Sequence, residues 1–183
     1  MNELETNRQS AQETLRDNVT PQTDAQLCAS QFFEFGQLLA EIPSLLRSVT
    51  DVGRSGQDRA QLIASLLEGK ALQPVVATCQ TIASQHWNNA QSVSKLTEQM
   101  GVYCLLYHAS LNGEIQQVER ELFAVTNLLR GQRQLRIELS ELGAADQDRR
   151  VRLIGSLLEG KILPTSLQLV QHAVTVSEHG RLI

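Results

Sequence analysis

The chain has 183 residues, of which 42% are apolar but only 4% aromatic, and a formal charge of −4 with a pI near 5.6. This acidity argues against broad nucleic-acid binding, which needs a concentrated basic face to displace counterions. With so few aromatics, any core must be built from Leu, Ile, Val and Ala, the side chains of packed helices.

Residues 1 to about 24 are polar, with Leu4, Ala11 and Leu15 at roughly helical spacing and Pro21 closing the stretch. They read as a weakly amphipathic helix or a disordered arm, which propensity alone does not separate. No basic start followed by an apolar run opens the sequence, so no secretion signal is expected. From Ala25 the pattern becomes periodic: Leu27, Phe32, Phe35, Leu38, Leu39 and Ile42 recur at threes and fours, predicting a helix with one buried stripe. Pro43 ends or redirects it, and Leu45, Leu46 and Val49 begin a short helix. The segment VTDVGRSGQDR reads as a loop, with Asp58 as the expected cap of a helix carrying Leu62, Ile63, Leu66 and Leu67. Gly69 supplies a left-handed C-terminal cap, with Lys70 placed favourably against the helix dipole.

Pro74 opens the next helix, at whose start a missing N–H costs little; Val75, Val76, Cys79, Ile82 and Ala83 form its apolar face. The stretch from Ala71 to Ser94 carries no Asp, Glu, Lys or Arg, yet Gln80, Gln85, His86, Asn88 and Asn89 make it too polar to span a bilayer. Any membrane connection is expected only through a partner. Trp87, at the end of that helix, is expected to fill the junction between two modules. Val93 to Leu111 reads as one further helix, broken before Gly113.

The second half then repeats the first. LIASLLEGK from Leu62 returns as LIGSLLEGK from Leu153, and FFEFGQLLAEIPSLLRSV from Phe32 is matched by LFAVTNLLRGQRQLRIEL from Leu122. Asp146 or Asp148 precedes the repeated helix, Leu153, Ile154, Leu157 and Leu158 form its stripe, Gly160 and Lys161 close it, and Pro164 opens a helix with Leu167, Leu169, Val170 and Val174. A repeat this long is a duplicated module rather than a solenoid unit. No sustained apolar–polar alternation rich in β-branched residues occurs. The expected fold is all-α, a helical bundle of two related modules: an arm or helix over 1–24, a first partial repeat over 25–92 and a second repeat over 93–183.

Motifs with chemical promise do not survive their context. Gly155 to Lys161 fits G-x-x-x-x-G-K, but Ile162 follows where a phosphate loop needs Ser or Thr, and the preceding residues are helical. Cys104 and His108 lie one turn apart, without the further ligands zinc requires. Cys28, Cys79 and Cys104, an odd number with no close pair, point to reduced thiols and a cytoplasmic setting. His86, His172 and His179 have no neighbouring nucleophile or carboxylate pattern. Glu114, Glu119 and Glu121 read as a solvated acidic face at a helix start. Tyr103 and Tyr107, one turn apart, read as core or groove wall. No catalytic residue, cofactor site or metal site is expected.

The stretch GVYCLLYHASLNGEIQQVERELFAVTNLLRGQRQLRIELS from Gly101 to Ser140, continuing into RRVRLIGSLLEGKILPTSLQLVQHAV from Arg149, resembles the δ subunit of the F-type ATP synthase, the family that includes the mitochondrial oligomycin-sensitivity-conferring protein. PSLLRSVTDVGRSGQDRAQLIASLLEGK resembles the additional partial copy of the actinobacterial form. The resemblance runs from about Ala25 onward. It implies a six-helix N-terminal domain followed by an α/β domain, and the sequence stops at HGRLI near where the sixth helix would begin, as a C-terminally truncated member would.

What the resemblance implies about function is a non-catalytic stator subunit of the peripheral stalk, on the cytoplasmic face of the membrane. It would hold the catalytic head against rotor torque by taking an amphipathic helix from the α-subunit N-terminus in a groove between its first and fifth helices. On this chain those helices are about Val93–Leu111 and Pro164–Ser177, with Val102, Leu106 and Tyr107 facing Leu167, Val170 and Val174 as groove wall. A b-type stalk subunit is a further implied partner, through the C-terminal domain; nucleic acid is not one. The alternatives are an all-α adaptor or regulatory protein unrelated to the synthase and, last, a small helical enzyme.

Overall fold

In the structure, a computed structural model, residues 3–141 and 147–176 are described. They form ten helices and no strand: α1 (Glu3–Asn18), α2 (Ala25–Glu41), α3 (Pro43–Thr50), α4 (Gly56–Leu67), α5 (Gln73–Ser84), α6 (Gln91–Leu111), α7 (Ile115–Gly131), α8 (Arg133–Glu141), α9 (Gln147–Leu158) and α10 (Pro164–Val176). The all-α expectation holds. The chain divides into two compact units, Met1–Leu111 and Asn112–Ile183.

In the first unit the most extensive helix pair is α2 with α6, while α5 packs on both α1 and α4. Its buried interior comes from Leu15 of α1, Phe32 and Leu39 of α2, Ile82 of α5, and Met100 and Leu105 of α6. The close approach of α2 and α6 depends on small residues: a Cβ at Gly101 would lie 2.5 Å from a Phe33 ring carbon and 3.0 Å from the Ala29 carbonyl oxygen. This corrects the expected stripe of α2. Leu27, Leu38 and Ile42 are exposed, and Ala25, Cys28, Ala29 and Gly36 take the buried face beside Phe32, Phe35 and Leu39.

The polar N-terminal stretch is a helix, fixed by side chains at several levels. Asn7 donates its amide to the His86 carbonyl oxygen at 2.8 Å, Thr14 and Thr81 hydroxyls meet at 3.1 Å, and the Glu3 carboxylate accepts from the Asn88 backbone N–H at 2.9 Å. Ala11 and Leu15 are buried, so one narrow apolar stripe suffices once these polar links set its register. Trp87 folds back within the first unit and donates its indole N–H to the Ile82 carbonyl at the end of α5.

The second unit centres on Val125, Leu129, Leu139, Ile154, Leu158, Val170 and Val174, with Leu122, Leu135 and Leu167 packed around them. Residues 93–111, expected to open the second repeat, form α6 and pack within the first unit.

The duplication is visible in how helix ends are satisfied. Gly69 and Gly160 both follow helix C-termini with φ of 72° and 73°, a left-handed conformation that an L side chain disfavours. Pro74 and Pro164 stand in the first turns of α5 and α10, as expected. The N-terminus of α4 is corrected: Ser55 is the cap, and Asp58 is the third residue of a capping box, each side chain accepting from the other's backbone N–H. At the repeat, α9 begins at Gln147 with Asp148 in its first turn, and Asp146 lies outside the described residues.

Buried arginines hold α5 and, at the matching place in the repeat, α10. Arg59 donates to the carbonyls of Ala83 (2.8 Å), Ser84 (3.2 Å) and Gln85 (2.9 Å) at the end of α5, and to Asp51 (3.1 Å) and Arg54 (2.6 Å) in the α3–α4 loop. The negative end of a helix dipole and five carbonyl oxygens thus surround a buried cation with no carboxylate in hydrogen-bonding contact among the described residues. Arg150, its repeat counterpart, donates to the Val174 carbonyl at 2.9 Å.

Candidate partner-binding surface

The outer faces of α1 and α6 form a groove of about 270 Å³ in the first unit, lined by Gln12, Leu15 and Arg16 from α1 and by Tyr103, Leu106, Tyr107 and Ser110 from α6. The sequence produces it by placing Tyr103, Leu106, Tyr107 and Ser110 at helical spacings of three and four, so that they share one face of α6. The opposite side of the helix turns Met100, Cys104 and Leu105 into the core. Leu15 forms an apolar floor, and the Arg16 guanidinium lies 5.7 Å from the centre of the Tyr107 ring, within cation–π range. Tyr103 and Tyr107 are half-buried and line the groove.

Of the residues expected to line a docking groove, Leu106 and Tyr107 lie here, and Val102 is half-buried on the same helix. Leu167, Val170 and Val174 belong to α10 of the second unit. Val170 and Val174 are buried members of its core, and Leu167 is half-buried against that core.

The remaining chemical candidates resolve into packing. Gly155 is buried within α9, which ends at Leu158, and the Glu159 and Lys161 N–H groups donate to the Gly155 and Leu158 carbonyls, so these amides close a helix end rather than form a phosphate cradle. Cys28, Cys79 and Cys104 are buried free thiols, and hydrogen bonding with Cys104 together with burial pushes the Cys28 thiol far up. His108 lies at the boundary, its Nε2 3.2 Å from the Pro21 carbonyl oxygen.

The acidic cluster needs a correction: Glu121 is not simply solvated. Its carboxylate accepts from the Leu163 backbone N–H at 3.0 Å, at the entrance to α10. Gln31 accepts from Leu72 N–H at 2.8 Å at the matching place in the first module. Sequence reading missed Gln31, Arg59 and Arg150 and misassigned Glu121; the signal available was that polar residues recur in register within the repeat. None of the ten helices is long and apolar enough to cross a membrane, among the described residues.

No family model matches the chain. Among curated proteins it is similar to ATP synthase subunit delta of Salinispora tropica, with 35% identity over 146 residues, 80% of this chain and 53% of the relative. The chain belongs to the ATP synthase delta-subunit family. The subunit delta of Beutenbergia cavernae is likewise 35% identical over 147 residues, 80% of this chain and 54% of the relative. That of Thermobifida fusca is 29% identical over 170 residues, 92% of this chain and 63% of the relative. The chain thus spans about half the length of the first two delta subunits, all three of them bacterial.

Proposed function

We propose that this chain acts as a non-catalytic stator component of a proton-translocating F-type ATP synthase. It holds the catalytic head against rotor torque by binding an N-terminal helix of the α subunit. Delta-family membership over four-fifths of the chain is the observation that carries this reading. The architecture suits such a role, because short Leu-rich helices form close-packed bodies that transmit strain rather than absorb it. Helix-in-groove recognition draws affinity from buried apolar area and direction from the charged rim.

The docking residues proposed in the first unit are Val102, Leu106 and Tyr107 of α6; in the second unit Leu167 of α10 is a separate candidate, and Val170 and Val174 are core residues of that unit. Attachment to a b-type stalk subunit would bring the chain to the cytoplasmic face of the membrane as a peripheral component. Calorimetric titration with the N-terminal segment of the same organism's α subunit tests the proposal. Saturable one-to-one binding with a negative heat-capacity change is expected. A folded chain that gives no binding heat at any temperature tried would refute it.

A further inference from the structure

The helices α4, α6 and α9 each end at a leucine that is followed, two residues on, by a glycine in the left-handed region: Gly69 at φ 72°, Gly113 at 72° and Gly160 at 73°. The residue ahead of the glycine is Glu68, Asn112 and Glu159 in turn, so this kind of helix end does not call for asparagine. The three ends also close differently. After α4 and α9 the Lys70 and Lys161 N–H groups return to the Leu67 and Leu158 carbonyls, each at 3.0 Å. After α6 no hydrogen bond returns from the Glu114 N–H among the described residues, and none engages the Gly113 N–H. Asn112 and Gly113 are both exposed, and no atom lies within 4 Å of the place a Cβ on Gly113 would take. Asn112–Gly113 is also the only asparagine–glycine pair in the sequence.

We infer that Asn112 is a site of spontaneous deamidation and isomerisation, at the boundary between the units Met1–Leu111 and Asn112–Ile183. The Gly113 backbone nitrogen gives up its proton and bonds to Cγ of Asn112; without a Cβ, glycine leaves that approach open. The Cγ–Nδ2 bond breaks, and Nδ2 departs with the proton as ammonia, leaving a cyclic imide. Water then opens the ring. Attack at Cγ gives aspartate, and attack at the backbone carbonyl gives isoaspartate, whose main chain runs through the side chain and is one methylene longer. Water is the only co-reactant and nothing is oxidised or reduced. Either product adds a negative charge to a chain of −4 and sets it at the negative end of the α6 dipole, which loosens the last turn of that helix. The missing return bond from Glu114 is what lets this turn swing the amide over the nitrogen, where the two sister turns are tied down.

The test holds the full chain folded in mildly alkaline buffer and follows it by tryptic peptide mapping. Asn112 is the only asparagine in the fragment Leu96–Arg120. The expected result is replacement of NH2 by OH in that fragment, ahead of conversion at Asn88 and Asn89, which are also exposed. The rate should rise with pH, because the attacking nitrogen must lose its proton. The aged chain should also accept labelled methyl groups from S-adenosylmethionine through an isoaspartyl methyltransferase.

Asn112→Glu, which installs the residue of the other two turns, should keep the far-UV circular dichroism and abolish both signals. Asn112→Gln serves as a second variant that keeps the amide and the charge. An Asn112 that stays intact while Asn88 or Asn89 converts would overturn the inference. Reaction only after urea has unfolded the chain would overturn it too, since the folded turn would then be protective. Undiminished methyl acceptance in both variants would place the isoaspartate elsewhere and overturn the assignment.

Discussion

Gln31 and Glu121 stand at matching places in the two repeats and make the same contact: each side-chain oxygen accepts the backbone N–H of the residue that leads into a helix, Leu72 before α5 at 2.8 Å and Leu163 before α10 at 3.0 Å. One is neutral and the other ionised. Burial pushes the Glu121 carboxyl up, but Ser166, Gln117 and the Leu163 N–H around it more than reverse this, so its pKa lies below the ordinary carboxylate value. A depressed folded-state pKa contributes stability above the unfolded value of about 4.3, and that contribution is lost as pH falls through the folded one. Glu121→Gln should keep the cap, as Gln31 does, and flatten the stability of the second unit below about pH 4.5. Glu121→Ala should cost about 1 kcal/mol at pH 7. Urea denaturation at pH 7 and pH 3.5 measures both; an unchanged acid dependence in Glu121→Gln would remove Glu121 as its source.

Replacing Arg59 should be among the costliest changes in the first unit. Arg59→Ala strips the end of α5 and the α3–α4 loop of five charge-assisted hydrogen bonds, with an expected loss of about 3 kcal/mol or more. Arg59→Lys should recover little, since an ammonium group cannot reproduce the planar fork that serves carbonyls on two segments. A loss below 1 kcal/mol in chemical denaturation would contradict the role assigned to it.

Val170→Asp separates folding from docking. The side chain is 6% exposed within the second unit's core, so a carboxylate there should cost about 3 kcal/mol or more and lower the cooperative unfolding signal of that unit. Leu167→Asp, at a half-buried position, should cost less and act on partner binding. Equal loss of stability in the two variants, measured by thermal melting, would show that Leu167 is also a core residue.

Gly101→Ala places a methyl against the Phe33 ring and the Ala29 carbonyl. Overpacking at about 1–3 kcal/mol outweighs the gain of about 1 kcal/mol in helix propensity, for a net loss of about 1 kcal/mol. Adding Phe33→Leu should restore part of it. Additivity of the two changes in a double-mutant cycle would show that ring and methyl do not meet.

Helix ends were the most legible part of the sequence, because capping chemistry is local: Gly69, Gly160, Pro74 and Pro164 all stand where their residue types require. The apolar face of α5 was legible for a related reason, since all five residues expected there are buried. On α2 the periodicity was right but its phase was not. The buried face is chosen by the close approach of α6, which selects for small size, and Leu27 at 46% exposure carries more hydrophobicity than Ala29 at 0%. The bracing by Arg59 and Glu121 was illegible for a third reason: it joins segments more than twenty residues apart, and single-sequence periodicity holds no information on such pairs. Of the docking groove, the α6 side could be read from Leu106 and Tyr107; the α1 side could not, because a polar stretch with three apolar residues does not declare itself a wall.

The pairing of α2 with α6 also sets a timetable for synthesis. Cys28 and Phe32 leave the ribosome long before Cys104 and Leu105, the residues buried with them in the first unit. At roughly 5–20 residues per second, that delay is on the order of several seconds. During it the inner face of α2 has no α6 to cover it, and the nascent chain is most open to chaperone capture or to pairing with a neighbouring nascent chain. Release of Leu111 ends that interval, so the first unit can be complete while the second is still being translated.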